Sequence, residues 1–90
     1  MVLVSMLLML WYKMRGIHYV DLKWKAGSDG GKYVIFRSAN GYPFQPIATI
    51  TIPTYLDLNL LTKTTYSYYI ETSLNGALSK PSNTVTVTTR

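Results

Sequence analysis

The sequence predicts an all-β fold, in which two antiparallel sheets pack face to face as a sandwich of about seven short strands. Three observations support this fold class. From His18 onward, apolar and polar residues alternate with a period of two, which is typical of strands that bury one face. Turn-forming residues interrupt this alternation at intervals of about 8 to 12 residues. No stretch after residue 16 has a convincing helical period.

Composition sets the outer limits of this prediction. A chain of 90 residues is long enough for one compact domain and too short for two. Its 48% hydrophobic and 14% charged residues argue against disorder. Because the chain has no cysteine, the core must supply the stability without a disulfide or a thiolate metal site. The net charge of +5 allows weak attraction to anionic partners but does not require it.

The apolar N-terminal segment, residues 1–15, departs most from the strand pattern. Met1 to Tyr12 is almost entirely apolar, yet it is shorter than the roughly 20 residues that a membrane-spanning helix needs. It also lacks the basic start and the cleavage site of a secretory signal peptide. Three interpretations stay open: an edge strand or short helix packed on the domain, a vestigial export or anchor segment, and an artefact of the start site.

Two strands are predicted next along the chain. Val20 to Lys25 alternates three large apolar residues with three charged ones, which predicts one buried and one solvated face. The glycine-rich stretch Gly27 to Gly31 breaks this strand. Tyr33 to Ser38 forms the second strand, and it ends at Asn40 and Gly41, a pair that favours a tight reversal.

Four further strands are predicted in the second half. Phe44 to Ile52 belongs at a sheet edge, because Pro46 has no backbone N–H to donate to a central ladder. Tyr55 to Leu61 is a short strand that runs into a turn. Thr65 to Thr72 shows the cleanest alternation. In the last predicted strand, Asn83 to Thr89, two valines alternate with threonines.

The core is predicted from the apolar positions that share one face of these strands. Its expected members are Leu22, Trp24, Tyr33, Ile35, Leu60, Tyr66, Tyr68, Ile70, Val85 and Val87. Tyr66 stands where the chain crosses between the sheets, so its hydroxyl is expected to cap a backbone group. Asp57 is expected to cap the turn that follows it through its side chain.

The chain is not expected to be an enzyme, and no catalytic residue, metal ligand or cofactor is predicted. A single histidine, His18, cannot form a histidine-based metal site, and no calcium-binding run of acidic residues is present. Gly27 to Gly31 is not followed by the lysine–serine or lysine–threonine pair, or by the helix, of a phosphate loop. Asp21 and Glu71 take outward strand positions, which does not suit a pair of catalytic carboxylates.

An ordered set of residues runs through the predicted strands. It comprises Leu22 and Trp24, then Tyr33, Ile35 and Arg37, then Tyr55 with Asp57 before Leu60, then Tyr66, Tyr68 and Ile70, and finally Pro81, Ser82 and Asn83. In this order they resemble a fibronectin type III domain over about residues 18–89, most of all the bacterial modules attached to secreted polysaccharide-degrading enzymes. No single motif is specific, whereas the ordered set is fairly so.

The resemblance implies an immunoglobulin-like sandwich over residues 16–90. It further implies a non-catalytic module of a secreted or cell-surface protein that acts as a spacer and as a protein or carbohydrate interaction surface. Fibronectin type III domains usually open with a proline-containing, moderately polar strand, which Met1 to Tyr12 does not match. The alternative function is therefore an independent interaction protein whose Met1 to Tyr12 segment binds a partner, a membrane or a second copy as a homodimer.

Two places are candidate interaction surfaces. The outer face of the predicted sheet should show Val34, Phe36 and Tyr69, an apolar patch that is unusual for a monomer unless the apolar segment covers it. The loop tips Ala26 to Lys32 and Leu74 to Ser79 are the second place. A nucleic-acid partner is disfavoured, because the aromatic residues are not interleaved with a basic stripe.

Overall fold

The computed structural model describes residues 11–15, 18–25 and 31–90. In these residues every regular element is a β-strand, which confirms the predicted fold class. The strands are β1 (Trp11–Arg15), β2 (Val20–Lys23), β3 (Lys32–Ala39), β4 (Gln45–Ile50), β5 (Thr54–Asp57), β6 (Thr65–Leu74), β7 (Ala77–Leu78) and β8 (Val85–Thr88).

The strands form two antiparallel sheets. The smaller sheet has the order β1-β2-β5, and the larger one has five strands in the order β4-β3-β6-β7, with β8 also paired to β6. Strand β4, which contains Pro46, lies at the edge of the larger sheet as predicted. Strands β3 and β6 are its centre, and they pair over eight positions from Lys32 opposite Ser73 to Ala39 opposite Tyr66.

Two asparagine–glycine pairs form the tight turns. Asn40 and Gly41 have φ angles of 51° and 81°, and Asn75 and Gly76 have φ angles of 55° and 81°. Positive φ at both central residues is the geometry that this pair favours in a two-residue hairpin. The second turn leads directly into β7, so the loop that the sequence predicted from Leu74 to Ser79 is in fact a short hairpin.

The apolar N-terminal segment enters the described structure at Trp11. From there to Arg15 the backbone forms β1, which pairs with β2 and contains a register shift between Tyr12 and Met14. This is the first strand that the structure describes. The predictions about residues 1–10, their part in a homodimer included, lie outside the described residues, and so do residues 26–30 of the first loop tip.

The core lies between the two sheets. The structure buries nine of the ten residues expected there, together with Val20, which the sequence had placed on the same face. Val85 is only partly buried, because it is the first residue of β8 and lies at the margin of the core. At the centre, the rings of Trp24 and Tyr33 meet edge to face, with centroids 5.3 Å apart and planes at 72°.

Candidate functional site

The outer face of the larger sheet exposes an aromatic patch, formed by Phe36, Phe44 and Tyr69. Phe36 on β3 lies opposite Tyr69 on β6, and their rings stack with centroids 4.7 Å apart and planes at 14°. Phe44, just before β4, packs against the same tyrosine, with ring centroids 4.8 Å apart and ring planes at 56°. Val34 lies two residues before Phe36 on β3, opposite Glu71 on β6, and extends the apolar surface along the strand. The structure therefore brings the three residues of the predicted surface onto one face.

Phe44 is the member of the patch that the sequence analysis missed. It is 38% exposed and lies outside the regular strands, so the period of two gives no information about which way its ring points. Its position depends on the hairpin at Asn40 and Gly41, which returns the chain alongside β3. The available signal in the sequence was the large aromatic residue between Pro43 and the edge strand that follows this turn.

Hydroxyl groups continue the outer face beyond the aromatic patch. Ser67 and Thr86 share a hydrogen bond of 2.9 Å between their hydroxyl oxygens, and Thr65 and Thr88 share another of 2.9 Å. Partial burial raises the pKa of the Glu71 carboxyl. The patch is thus an apolar cluster of rings packed against one another, with hydroxyl groups and the Glu71 carboxyl nearby on the same face.

A second feature, the Arg37–Asp57–Tyr68 network, joins the two sheets through the core. Asp57 on β5 is buried and accepts hydrogen bonds from Nη1 of Arg37 at 3.1 and 3.0 Å, one on each carboxylate oxygen. The Tyr68 hydroxyl donates to Oδ2 of the same carboxylate at 2.5 Å. The prediction that Asp57 caps a turn is wrong, because its side chain points inward and meets these two donors instead.

Tyr66 and Tyr68 both have buried rings, and the hydroxyl of each forms a hydrogen bond with a different partner. The Tyr66 hydroxyl accepts a hydrogen bond from the backbone N–H of Leu61 at 3.0 Å, so the predicted cap at the sheet crossing is confirmed. Burial, and then the hydrogen bond to Asp57, raise the pKa of the Tyr68 hydroxyl far above its ordinary value. Tyr68 therefore remains a neutral donor in the folded protein.

A small cavity lies beside this network, at the end of the β3–β4 hairpin. It measures about 190 Å³ and is lined by Arg37, Ala39, Tyr42, Pro43, Gln45 and Ile47. The guanidinium carbon of Arg37 lies 5.6 Å from the centre of the Tyr66 ring, a distance at which a cation and an aromatic face attract each other. The cavity thus combines one partly exposed cation with aromatic, amide and apolar walls.

Two further observations concern the described residues only. Among them, no three histidine, cysteine, aspartate or glutamate side chains are grouped closely enough to hold a metal ion. Within the same residues there is no helix of the length and apolar character needed to cross a membrane.

Comparison with solved structures identifies the fold. No family model and no curated protein sequence matches the chain. The fibronectin type-III domain of human fibronectin type III domain containing protein 3 is 24% identical with a TM-score of 0.74, over 89% of this chain and 80% of that one. The fold is accordingly that of a fibronectin type III domain, which confirms the resemblance seen in the sequence.

Two longer proteins contain a similar domain. The chicken CNTN1 FN1-FN3 domains match with 17% identity and a TM-score of 0.81, over 91% of this chain and 29% of theirs. A β-1,2-glucanase from Parabacteroides distasonis matches with 26% identity and a TM-score of 0.80, over 91% of this chain and 12% of the enzyme. Domains with this fold thus occur as modules of multi-domain proteins.

Proposed function

We propose that this chain is a non-catalytic module of a larger secreted or cell-surface protein, in which it spaces neighbouring domains and binds a protein or carbohydrate through its outer face. The observation that supports this function best is the aromatic patch. Phe36 and Tyr69 stack on the solvent side of the sheet, where they contribute nothing to the core between the sheets.

Carbohydrate is the ligand class to test first. The outer edges of the stacked Phe36 and Tyr69 rings offer apolar contacts for the C–H groups of a sugar, and the bordering hydroxyls of Ser67 and Thr86 suit its polar rim. The similarity to part of a β-1,2-glucanase supports the same choice.

The test is affinity electrophoresis of the full chain in gels that contain β-1,2-glucan. We expect the wild type to be retarded and the variant Phe36→Ser with Tyr69→Ser to migrate as in a gel without glucan. Leu78→Ser is the matched control, because Leu78 is 52% exposed but lies on β7, away from the patch. Wild-type protein that is not retarded would eliminate this glucan as the ligand. A protein partner would then be the ligand class to test on the outer face.

Spacing and secretion need a separate experiment. Domains of this fold also occur in intracellular titin, so secretion is a prediction rather than a property of the fold. An antibody against the domain should detect a polypeptide much larger than 10.2 kDa in the secreted or surface fraction of the source cells. A free 10 kDa band in the cell interior would contradict both the larger polypeptide and its secretion. It would favour the alternative function, an independent interaction protein.

A further inference from the structure

Among the described residues, the guanidinium of Arg37 forms hydrogen bonds through only one of its three nitrogens. Both hydrogen bonds to Asp57 start from Nη1, at 3.1 and 3.0 Å. An arginine has five N–H donors in a rigid planar fork, of which Nη1 holds two. In the part of the chain that the structure describes, Nε and Nη2 have no hydrogen-bond partner. These two nitrogens form the side-on edge of the fork, which matches the two oxygens of a carboxylate.

This unused edge belongs to a side chain that solvent and ligands can reach. The Arg37 side chain is 31% exposed, whereas that of Asp57 is 5% exposed. Asp57 therefore fixes the guanidinium from the core side, and the Tyr66 ring lies at 5.6 Å from its central carbon. An arginine held in this way loses little conformational entropy when it binds a second anion, which favours affinity.

The cavity beside Arg37 limits the size and chemistry of what can bind. Its volume of about 190 Å³ is below the range of roughly 300 to 1,000 Å³ typical of sites for drug-sized molecules. Gln45 offers an amide, and Ala39, Pro43 and Ile47 offer apolar walls. Such walls suit the methylene groups of an acidic side chain better than the hydroxyls of a sugar acid.

We propose that this cavity binds the carboxylate of a glutamate or aspartate from a protein partner or a neighbouring domain, with the Nε and Nη2 donors of Arg37 holding its two oxygens. The net charge of +5 attracts an acidic partner to the chain as a whole. This site is distinct from the aromatic patch and does not depend on the proposed carbohydrate ligand. It adds a charge-selective contact at the β3–β4 hairpin.

The test is an NMR titration of the full chain with N-acetyl-Gly-Glu-Gly-amide, which follows backbone amides and the Nε–H signal of Arg37. We expect saturable shifts of Arg37 Nε–H and of the amides of Tyr42 and Gln45. The matched peptide with glutamine in place of glutamate should leave them unchanged. Glucuronate tests a sugar acid, and tighter binding of glucuronate than of the peptide would overturn the choice of a protein ligand.

Three variants separate fork recognition from general attraction between charges. Arg37→Lys keeps the charge but not the side-on edge, so the affinity for the glutamate peptide should fall about tenfold or more. Gln45→Glu adds a carboxylate at the exposed rim, which should compete for Arg37 and abolish the shifts without changing Asp57. It also provides the test if Arg37→Lys does not fold. Lys80→Gln removes a cation that does not line the cavity and should bind as the wild type does.

The proposal fails under either of two results. Shifts that rise linearly with peptide and are equal in the wild type, Arg37→Lys and Lys80→Gln would show non-specific charge attraction. Saturable binding that is unaffected by Gln45→Glu would place the carboxylate somewhere other than this cavity.

Discussion

Tyr68 and Tyr69 are neighbours on strand β6, yet their side chains have opposite surroundings. Tyr68 is fully buried between the sheets, and its hydroxyl donates to Asp57 at 2.5 Å. Tyr69 lies on the outer face, is only partly buried and stacks on Phe36. On the inner face an unpaired polar atom is costly, because burial removes its water. On the outer face water can satisfy the hydroxyl, and the part of the ring that Phe36 and Phe44 leave exposed is available for a partner.

The same contrast extends along the whole strand. Tyr66, Tyr68, Ile70 and Thr72 are buried, whereas the residues between them are partly exposed. Stability should therefore depend on the inner set, and recognition on the outer one. The following experiments test this division between the inner and the outer face.

The largest effect is expected at the centre of the core. Trp24→Ala should lower the free energy of unfolding by about 3 to 5 kcal/mol, because it leaves a large cavity where the indole meets Tyr33. A domain of this size has only about 5 to 10 kcal/mol in total, so the variant should be near its unfolding threshold. Urea denaturation measures the loss.

The control for this substitution is on the other face. Val34→Ala truncates a partly exposed side chain and should cost less than about 1.5 kcal/mol. If both variants lost the same stability, the inner and outer faces would not differ as the burial pattern indicates.

The next effect concerns the inter-sheet network. Asp57→Ala removes the acceptor of two groups and leaves the Tyr68 hydroxyl buried without a partner. We expect a loss of about 2 to 4 kcal/mol, less than for a fully buried ion pair, because Arg37 is 31% exposed and regains water. Chemical denaturation at neutral pH measures it.

A double-mutant cycle tests whether the network acts as a unit. In a Tyr68→Phe background no buried hydroxyl needs Asp57, so Asp57→Ala should cost less there than in the wild type. Strictly additive losses would show that Asp57 stabilises the fold only through Arg37.

A smaller effect separates two tyrosine hydroxyls of the same strand. Tyr66→Phe removes the acceptor of the Leu61 N–H and should cost about 1 to 3 kcal/mol. Tyr69→Phe removes a hydroxyl from the outer face and should change stability by less than about 0.5 kcal/mol. Thermal melts of the two variants make this comparison, and a Tyr69→Phe loss as large as that of Tyr66→Phe would contradict it.

Much of the fold was predictable because one alternating pattern determines both faces of a strand. The period of two placed Tyr66, Tyr68 and Ile70 inside, and proline and asparagine–glycine pairs located the edge strand and the turns. Val85 was predicted as a full core member, but alternation gives the direction of a side chain and not the number of neighbours that cover it. The hairpin strand β7 was missed because two residues are too few to show a period.

The candidate site was less predictable, because it depends on contacts between distant segments. The outward direction of Phe36 and Tyr69 follows from the pattern, but their direct pairing follows from the register of β3 against β6. Asp57 was misassigned since no local pattern shows that Arg37, 20 residues away, crosses between the sheets to meet it. The cavity at Arg37 likewise exists only after the hairpin has folded back.

The smallest effect concerns Glu71, the carboxylate beside the aromatic patch. Partial burial raises the pKa of this carboxyl, so the folded state favours its neutral form. Its contribution to stability is therefore fully present below the ordinary glutamate pKa of about 4.3 and is lost as the pH rises through the higher folded value.

Glu71→Gln carries a neutral amide at every pH and removes this dependence. The stability difference between the variant and the wild type should grow in favour of the variant as the pH rises from about 4 to 7, which urea midpoints across that range can measure. The change should be small, because the side chain remains in partial contact with water. Comparing the difference at each pH cancels the other carboxyl groups, Asp57 included. A constant difference would mean that water reaches Glu71 freely, so that desolvation is confined to the inner face of β6.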